Sequence, residues 1–257
     1  MTGKVVVITG ASEGIGEALA KVVGAQGNTV VLAARREKLL RQVAEEIGGK
    51  TLAVETDVTR RADVEHLRDA ALQAFGQVDV WVNNAGQGIT KPVLELTEEE
   101  LDEVMRVNLK SALYGMQTIV PHFMLRGSGH VINISSVLSR VPFVAPRAAY
   151  SASKAALNIL TANLRMDLAA HPDIHVSLVL PGIVRTKFFE HAIGGTPNWH
   201  QVAGAVGSQS AEEVAEVIAD VIDNPRAEVY TNPASADVVR RYHEDVAGFE
   251  ANLRKRG

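Results

Sequence analysis

Residues 147–157 read RAAYSASKAAL, which places Tyr150 and Lys154 four positions apart among alanines and serines. On a helix that spacing stacks a phenol beside an ammonium on one face. A phenol is a weak acid with a pKa of about 10, and nearby positive charge favours its ionised form. The pair could therefore handle a proton, although a Tyr and a Lys at this spacing also make an ordinary surface contact. A second stretch, TGASEGIG at 9–16, leads from a β-branched run into a helical pattern, EALAKVV. Gly10 suits a tight turn, Gly14 a close backbone approach to a pyrophosphate, and Gly16 close packing of helix on sheet. The helix N-terminal amides would then face phosphate oxygens. The glycine spacing departs from the common dinucleotide fingerprint, so a purely structural turn stays open. A third stretch, LAARRE at 32–37, lies where dinucleotide folds usually carry an acid for the ribose hydroxyls. Arg35 and Arg36 instead suit a 2′-phosphate, or else they open a solvated helix. Glu13 either repels such a phosphate or pairs with an arginine and holds it in place.

The elements that must position these residues alternate along all 257 positions. Short β-branched runs predict strands near 4–8, 29–33, 51–56, 78–82, 130–134, 174–180 and 227–231. Longer segments of helical period predict helices near 14–26, 37–47, 60–75, 98–119, 148–170 and 211–223. Thr97 and Glu100 have capping-box spacing at the start of the fourth helix. A last amphipathic segment, 234–257, aligns Val238, Val239, Tyr242, Val246 and Phe249 on one side. The alternation predicts one α/β domain over 1–257, with a doubly wound, mostly parallel seven-stranded sheet covered by helices on both faces. The expected strand order is 3-2-1-4-5-6-7.

Cysteine is absent, which removes disulfide and thiolate chemistry and is compatible with a reducing, cytoplasmic location. A formal charge of −4 with interspersed signs argues against a nucleic-acid partner. The chain enters a strand pattern at once, without a secretory signal, and no run approaches the roughly 18 apolar residues of a membrane span. The histidine pairs His171/His175 and His191/His200 lack the carboxylate company of a zinc site, so no metal is expected. Arg140 and Arg147 could bind an acidic group, although loop arginines are more often solvated.

Seven motifs in order carry a family resemblance: TGASEGIG, TDV at 56–58, NNAG at 83–86, VNLKS at 107–111, NISS at 133–136, YSASK at 150–154 and PGIVRT at 181–186. Together they make the chain similar to the single-domain short-chain dehydrogenases/reductases. The resemblance implies a nicotinamide dinucleotide contacted by Gly10, Ser12, Glu13, Gly14, Ile15 and Gly16 at the phosphate turn. It also implies Arg35 and Arg36 at the ribose, Asp57 and Val58 at the adenine, and Asn83, Asn84, Ala85 and Gly86 along the cleft and bracing the central strand. Tyr150, Lys154, Pro181, Gly182, Ile183 and Thr186 complete the set at the nicotinamide end. With two arginines at the ribose position the expected cofactor is NADP(H), with NAD(H) the alternative.

The same resemblance implies a catalytic tetrad of Asn108, Ser136, Tyr150 and Lys154. Hydride addition to a carbonyl leaves an alkoxide that needs a proton, which Tyr150 would supply. Lys154 would stabilise the phenolate, and Ser136 would hold the substrate oxygen. Asn108 is a poor helix former inside a helical pattern, and the family's asparagine there distorts the helix. The Ser136 to Tyr150 separation is 14, one longer than the family pattern, which leaves Ser135 an alternative, and Ser139 stands where glycine is common. The segment 187–210, with Phe188, Phe189 and Trp199, corresponds to the family's substrate lid, or its aromatics are core or subunit contacts. The implied activity is reversible hydride transfer between NADP(H) and a carbonyl or secondary alcohol. The alternatives are an NAD-linked alcohol dehydrogenase and a catalytically silent sensor. Homodimers or homotetramers joined through the helices near 98–119 and 148–170 are expected by family analogy, with a small-molecule substrate as the other partner.

Overall fold

In the computed structural model, which describes residues 3–143, 146–195 and 207–255, the β-branched runs become parallel strands. They are β1 (Val5–Thr9), β2 (Thr29–Ala34), β3 (Thr51–Glu55), β4 (Val80–Asn83), β5 (Gly129–Ile134) and β6 (Ile174–Leu180). A short parallel pair, β7 (Ile183–Arg185) and β8 (Ser208–Ser210), precedes β9 (Glu228–Tyr230). The large sheet runs β3-β2-β1-β4-β5-β6-β9, which is the expected order with β9 as the seventh strand. The order reverses between β1 and β4, and a crevice opens there at the carboxyl ends of the strands.

Strand periodicity divides the core between the two faces. Val6, Ile8, Val30, Leu32, Val80 and Val82 point to one side, where they meet Leu19 and Val23 of α1 (Gly14–Ala25). Leu40 of α2 (Glu37–Ile47) packs into the same layer. Val5, Val7, Val31, Trp81 and Val131 point to the other side, against Leu67 of α3 (Arg61–Phe75). With both faces covered, near-continuous apolar strands are what a buried parallel sheet requires.

The predicted helix at 98–119 is divided. The helix α4 (Glu98–Met105) opens on the Thr97/Glu100 capping box, a π-turn follows over Arg106–Lys110, and α5 (Ser111–Arg126) continues it. The catalytic-motif helix is α6 (Ala148–Asp167), and α7 (Ala211–Asp223) packs beside α1. The C-terminal segment forms two helices, α8 (Pro233–Glu244) and α9 (Val246–Arg254). The break has a local cause: Asp245 is extended, and its carboxylate accepts from Gly248 N at 2.9 Å as the cap of α9. Among the described residues no helix is long and apolar enough to cross a membrane.

Candidate active site

A cleft of about 630 Å³ lies over the carboxyl ends of the central strands. The residues that the sequence places at the cofactor line it, except Gly16, which packs beneath, and Asn83, whose side chain turns into the core to Trp81 Nε1 and Asn133 Oδ1. The β1–α1 turn is held by backbone proximity. Gly10 takes a φ of +68°, and a Cβ there would lie 2.9 Å from Ala85 Cα. Asn84 ties the end of β4 to the turn, with Nδ2 donating to Thr9 O at 2.9 Å and N donating to Thr9 Oγ1 at 3.0 Å. The first turn of α1 has no capping side chain among the described residues, so its amides stay open to the cleft.

At the ribose position Arg35 and Arg36 are exposed, and Arg36 is already engaged. Its Nη2 donates to Ser12 Oγ at 2.9 Å and pairs with Glu13 Oε1 at 2.8 Å. Of the two readings of Glu13, the structure therefore has the pairing one. Asp57 caps the next turn: burial pushes its carboxyl up, but Thr59 hydrogen bonds and the charges of Arg35 and Arg106 hold it below the usual range. An uncapped helix terminus, close glycine turns and flanking guanidinium groups fit a dinucleotide with its pyrophosphate on α1.

Ser136, Tyr150 and Lys154 line the opposite end of the cleft, with Asn108 directly behind them. Tyr150 lies close enough to Ser136 for that hydroxyl to act on the phenol. Ser135, the alternative, turns away to Asn158 Oδ1 and Lys154 O. Burial raises the Tyr150 phenol above its ordinary value, and the groups that pull it back are Ser136 and Arg147. The Lys154 ammonium donates to Ile134 O at 2.9 Å, 5.9 Å from the Tyr150 ring centroid, and burial lowers its pKa to about 8.

Asn108 is 1% exposed and sits in the π-turn, where Ser111 N–H reaches back five residues to Arg106 O. Its Oδ1 accepts from Gln87 N at 2.7 Å, while Nδ2 donates to Gln87 O at 3.0 Å and Ser153 Oγ at 2.9 Å. Ser153 Oγ in turn donates to Tyr150 O at 2.7 Å. Gln87 and Ser153 thus join the NNAG turn to the Tyr150 helix, and Gln87 was not singled out from the sequence. A Cβ on Gly86 would lie 3.3 Å from Asn108 Oδ1 and 3.6 Å from Lys154 Nζ, so that glycine keeps the floor open.

The substrate end is aromatic. Phe188 meets the Tyr150 ring edge to face at 5.7 Å and Phe189 at 5.2 Å. This segment is zipped to the NNAG loop by Thr90 N to Ile193 O at 2.7 Å, Ile193 N to Gly88 O at 3.0 Å and Gln87 Nε2 to His191 O at 2.6 Å. Trp199, His200 and the rest of 196–206 lie outside the described residues. His175 packs edge on against His130 at 5.8 Å, and among the described residues no group of three or more His, Asp or Glu side chains converges as a metal site.

The chain matches the short chain dehydrogenase family over residues 4–193. An uncharacterized oxidoreductase of Staphylococcus epidermidis is 36% identical over 187 residues, covering 73% of this chain and 80% of the relative. One from Staphylococcus aureus is 37% identical over 187 residues, covering 72% and 80%. A Burkholderia phymatum short chain dehydrogenase/reductase solved with NAD superposes with a TM-score of 0.85 at 31% identity, over 95% of this chain and 94% of that one. The 3-ketoacyl-(acyl-carrier-protein) reductase of Brucella melitensis, complexed with NADH, gives 0.83 at 28% identity over 91% and 99%. An alcohol dehydrogenase of Thermococcus sibiricus, complexed with 5-hydroxy-NADP, gives 0.75 at 30% identity over 88% and 95%. The chain belongs to the short chain dehydrogenase family and is an NAD(P)-dependent oxidoreductase.

Proposed function

We propose that the protein transfers a hydride between NADP(H) and a carbonyl or secondary alcohol, with Tyr150 as the acid/base. The observation that carries this reading is the partly buried Tyr150 phenol, which lines the cleft together with Ser136 and Lys154. When bound, the reduced nicotinamide supplies the hydride. Tyr150, kept protonated by burial, gives its Oη proton to the oxygen that becomes the alcohol. Ser136 holds that oxygen by a hydrogen bond and orients the carbonyl. Lys154 keeps a positive charge beside the reacting group, and Asn108 clamps Gln87 and Ser153 so that both walls stay in register. In the alcohol-oxidising direction Tyr150 takes the proton back, helped by the charge of Arg147.

NADP(H) is favoured because two guanidinium groups flank the ribose position where an acid would select NAD(H). The NAD-linked reading also has an observation behind it, since Glu13 already holds Arg36. Steady-state kinetics on a carbonyl panel with NADPH and NADH separate them, and a clear NADH preference overturns the choice. Tyr150→Phe should retain cofactor binding by fluorescence titration while turnover falls by roughly 10³-fold. Unchanged turnover would remove Tyr150 from the acid/base role.

A further inference from the structure

We infer that Arg147 is the anchor for a carboxylate on the substrate, so that the protein acts on oxo acids and their hydroxy-acid counterparts. This rests on the hydride-transfer reading above and specifies its substrate class. Arg147 lines the cleft and is 3% exposed, which is unusual for an arginine in a loop position. It stands three residues before Tyr150, at the N-terminus of the 20-residue helix α6. Its guanidinium carbon lies 4.6 Å from the Phe189 ring centroid, which fixes the plane of the group. Its Nη1 donates to Ile89 O at 3.2 Å. Nε and Nη2 are buried and have no hydrogen-bond partner among the described residues.

A bracing role toward Ile89 explains one of these nitrogens and leaves two costly donors unmet. No carboxylate among the described residues answers them. Tyr150 is the sole group that acts electrostatically on Arg147 among the described residues. The internal segments outside the described residues, VA at 144–145 and TPNWHQVAGAV at 196–206, contain no Asp or Glu. Arg140, the other arginine of this region, is different: its Nη2 pairs with Glu228 Oε2 at 2.6 Å.

A buried, charged planar fork with two unpartnered donors, on a residue that lines the cleft, is matched by a planar carboxylate through two parallel hydrogen bonds. The first turn of α6, which carries no side-chain cap among the described residues, adds positive potential at the same place. The proximity to Tyr150 is electrostatic as well as sequential, because Arg147 pulls the phenol down. A substrate with its carboxylate on Arg147 therefore presents a nearby carbonyl to the proton donor. The aromatic walls of Phe188 and Phe189 cover the carbon skeleton between them.

The test uses the full chain with NADPH and NADH and compares pyruvate, acetoacetate, 4-oxopentanoate and phenylglyoxylate, each against its methyl ester. At least one acid should exceed its ester in kcat/KM by roughly 10- to 100-fold, mainly through KM. Arg147→Met should collapse that acid-to-ester ratio toward unity, and Arg147→Lys should keep part of it. A binding readout runs beside it: benzoate, but not benzamide, should raise the Tm of the wild type, and Arg147→Met should lose that shift. Esters preferred by the wild type, or a ratio unchanged in Arg147→Met, overturn the inference while leaving hydride transfer intact. If no carbonyl turns over with either cofactor, the hydride-transfer reading fails. The benzoate shift then decides on Arg147 alone, and an equal shift in wild type and variant overturns the anchor.

Discussion

At the phosphate end of the cleft the walls are backbone: an added Cβ on Gly16 would lie 2.3 Å from Gly10 O, and one on Gly10 would lie 2.9 Å from Ala85 Cα. At the Arg147 end the walls are side chains on short loops, joined by aromatic edges and by a few hydrogen bonds to the 187–195 segment. Backbone walls tolerate exchange of the side chains around them, because a main-chain amide has the same chemistry whatever residue carries it. Side-chain walls can be exchanged without disturbing the sheet, so substrate choice can change there while the cofactor cradle persists.

Gly16→Ala strikes the rigid end hardest. Its Cβ would meet Gly10 O and Asn84 Nδ2 at 2.3 and 2.6 Å, and neither a strand-end carbonyl nor a pinned amide can move cheaply. Overpacking of this kind costs about 1–3 kcal/mol, and the displaced turn should weaken dinucleotide binding about 100-fold or more. Thermal unfolding and a cofactor titration check it. A variant with native Tm and native affinity would mean that the turn yields, and the contrast between the two ends would fail.

Much of this division was legible in the sequence. The seven apolar runs, the glycine turn and the four tetrad positions all sit where local pattern and motif agree, and the sheet order follows from parallel crossovers. The π-turn at 106–110 was not legible as a break in periodicity, because the helical pattern continues through it. It forms where a tertiary clamp from Asn108 to the Gln87 backbone holds the asparagine inward. The β7–β8 pair is three residues on each side, too short for an alternating signal, although the Ser210/Glu213 capping box just after it is readable. The burial of Arg147 was hidden by the general rule that loop arginines are solvated. Phe189 packing over its guanidinium and the bond to Ile89 O are tertiary contacts that no local pattern announces.

Lys154 sits where the two ends meet, and its pH dependence sharpens the comparison. Burial lowers its pKa to about 8, so the ammonium is present below that pH and lost above it. The kcat/KM for carbonyl reduction should be level below about pH 8 and fall about tenfold per unit above it. Lys154→Arg should move this limb out of the accessible range, and an unmoved limb would assign it to another group. The stability sign is opposite. A folded-state pKa below the unfolded value means that the buried charge costs stability fully below about pH 8, and the cost is relieved as pH rises toward 10.5. Wild-type stability should therefore rise between about pH 8 and pH 10.5, and Lys154→Met should lose that rise while it lowers turnover. Pre-organised chemistry and fold stability oppose each other at this residue.

The smallest effect belongs to Glu13, the one charged side chain contributed by the otherwise backbone-built turn. Its Oε1 lies 2.8 Å from Arg36 Nη2 and 3.5 Å from His191 Nε2, so it links the ribose position to the substrate-end loop. Both Glu13 and Arg36 are partly solvated, and such a pair is worth at most about 1 kcal/mol. A 2′-phosphate approaching Arg36 must share that nitrogen with a carboxylate of its own sign. Glu13→Gln keeps the shape and removes the charge. The NADPH-to-NADH ratio of kcat/KM should then rise about 3- to 10-fold, and the gain should shrink in 1 M salt, where the Debye length is about 3 Å. A ratio that falls instead would show that Glu13 serves chiefly to hold Arg36 in place, and that even the backbone-built end depends on one exchangeable side chain.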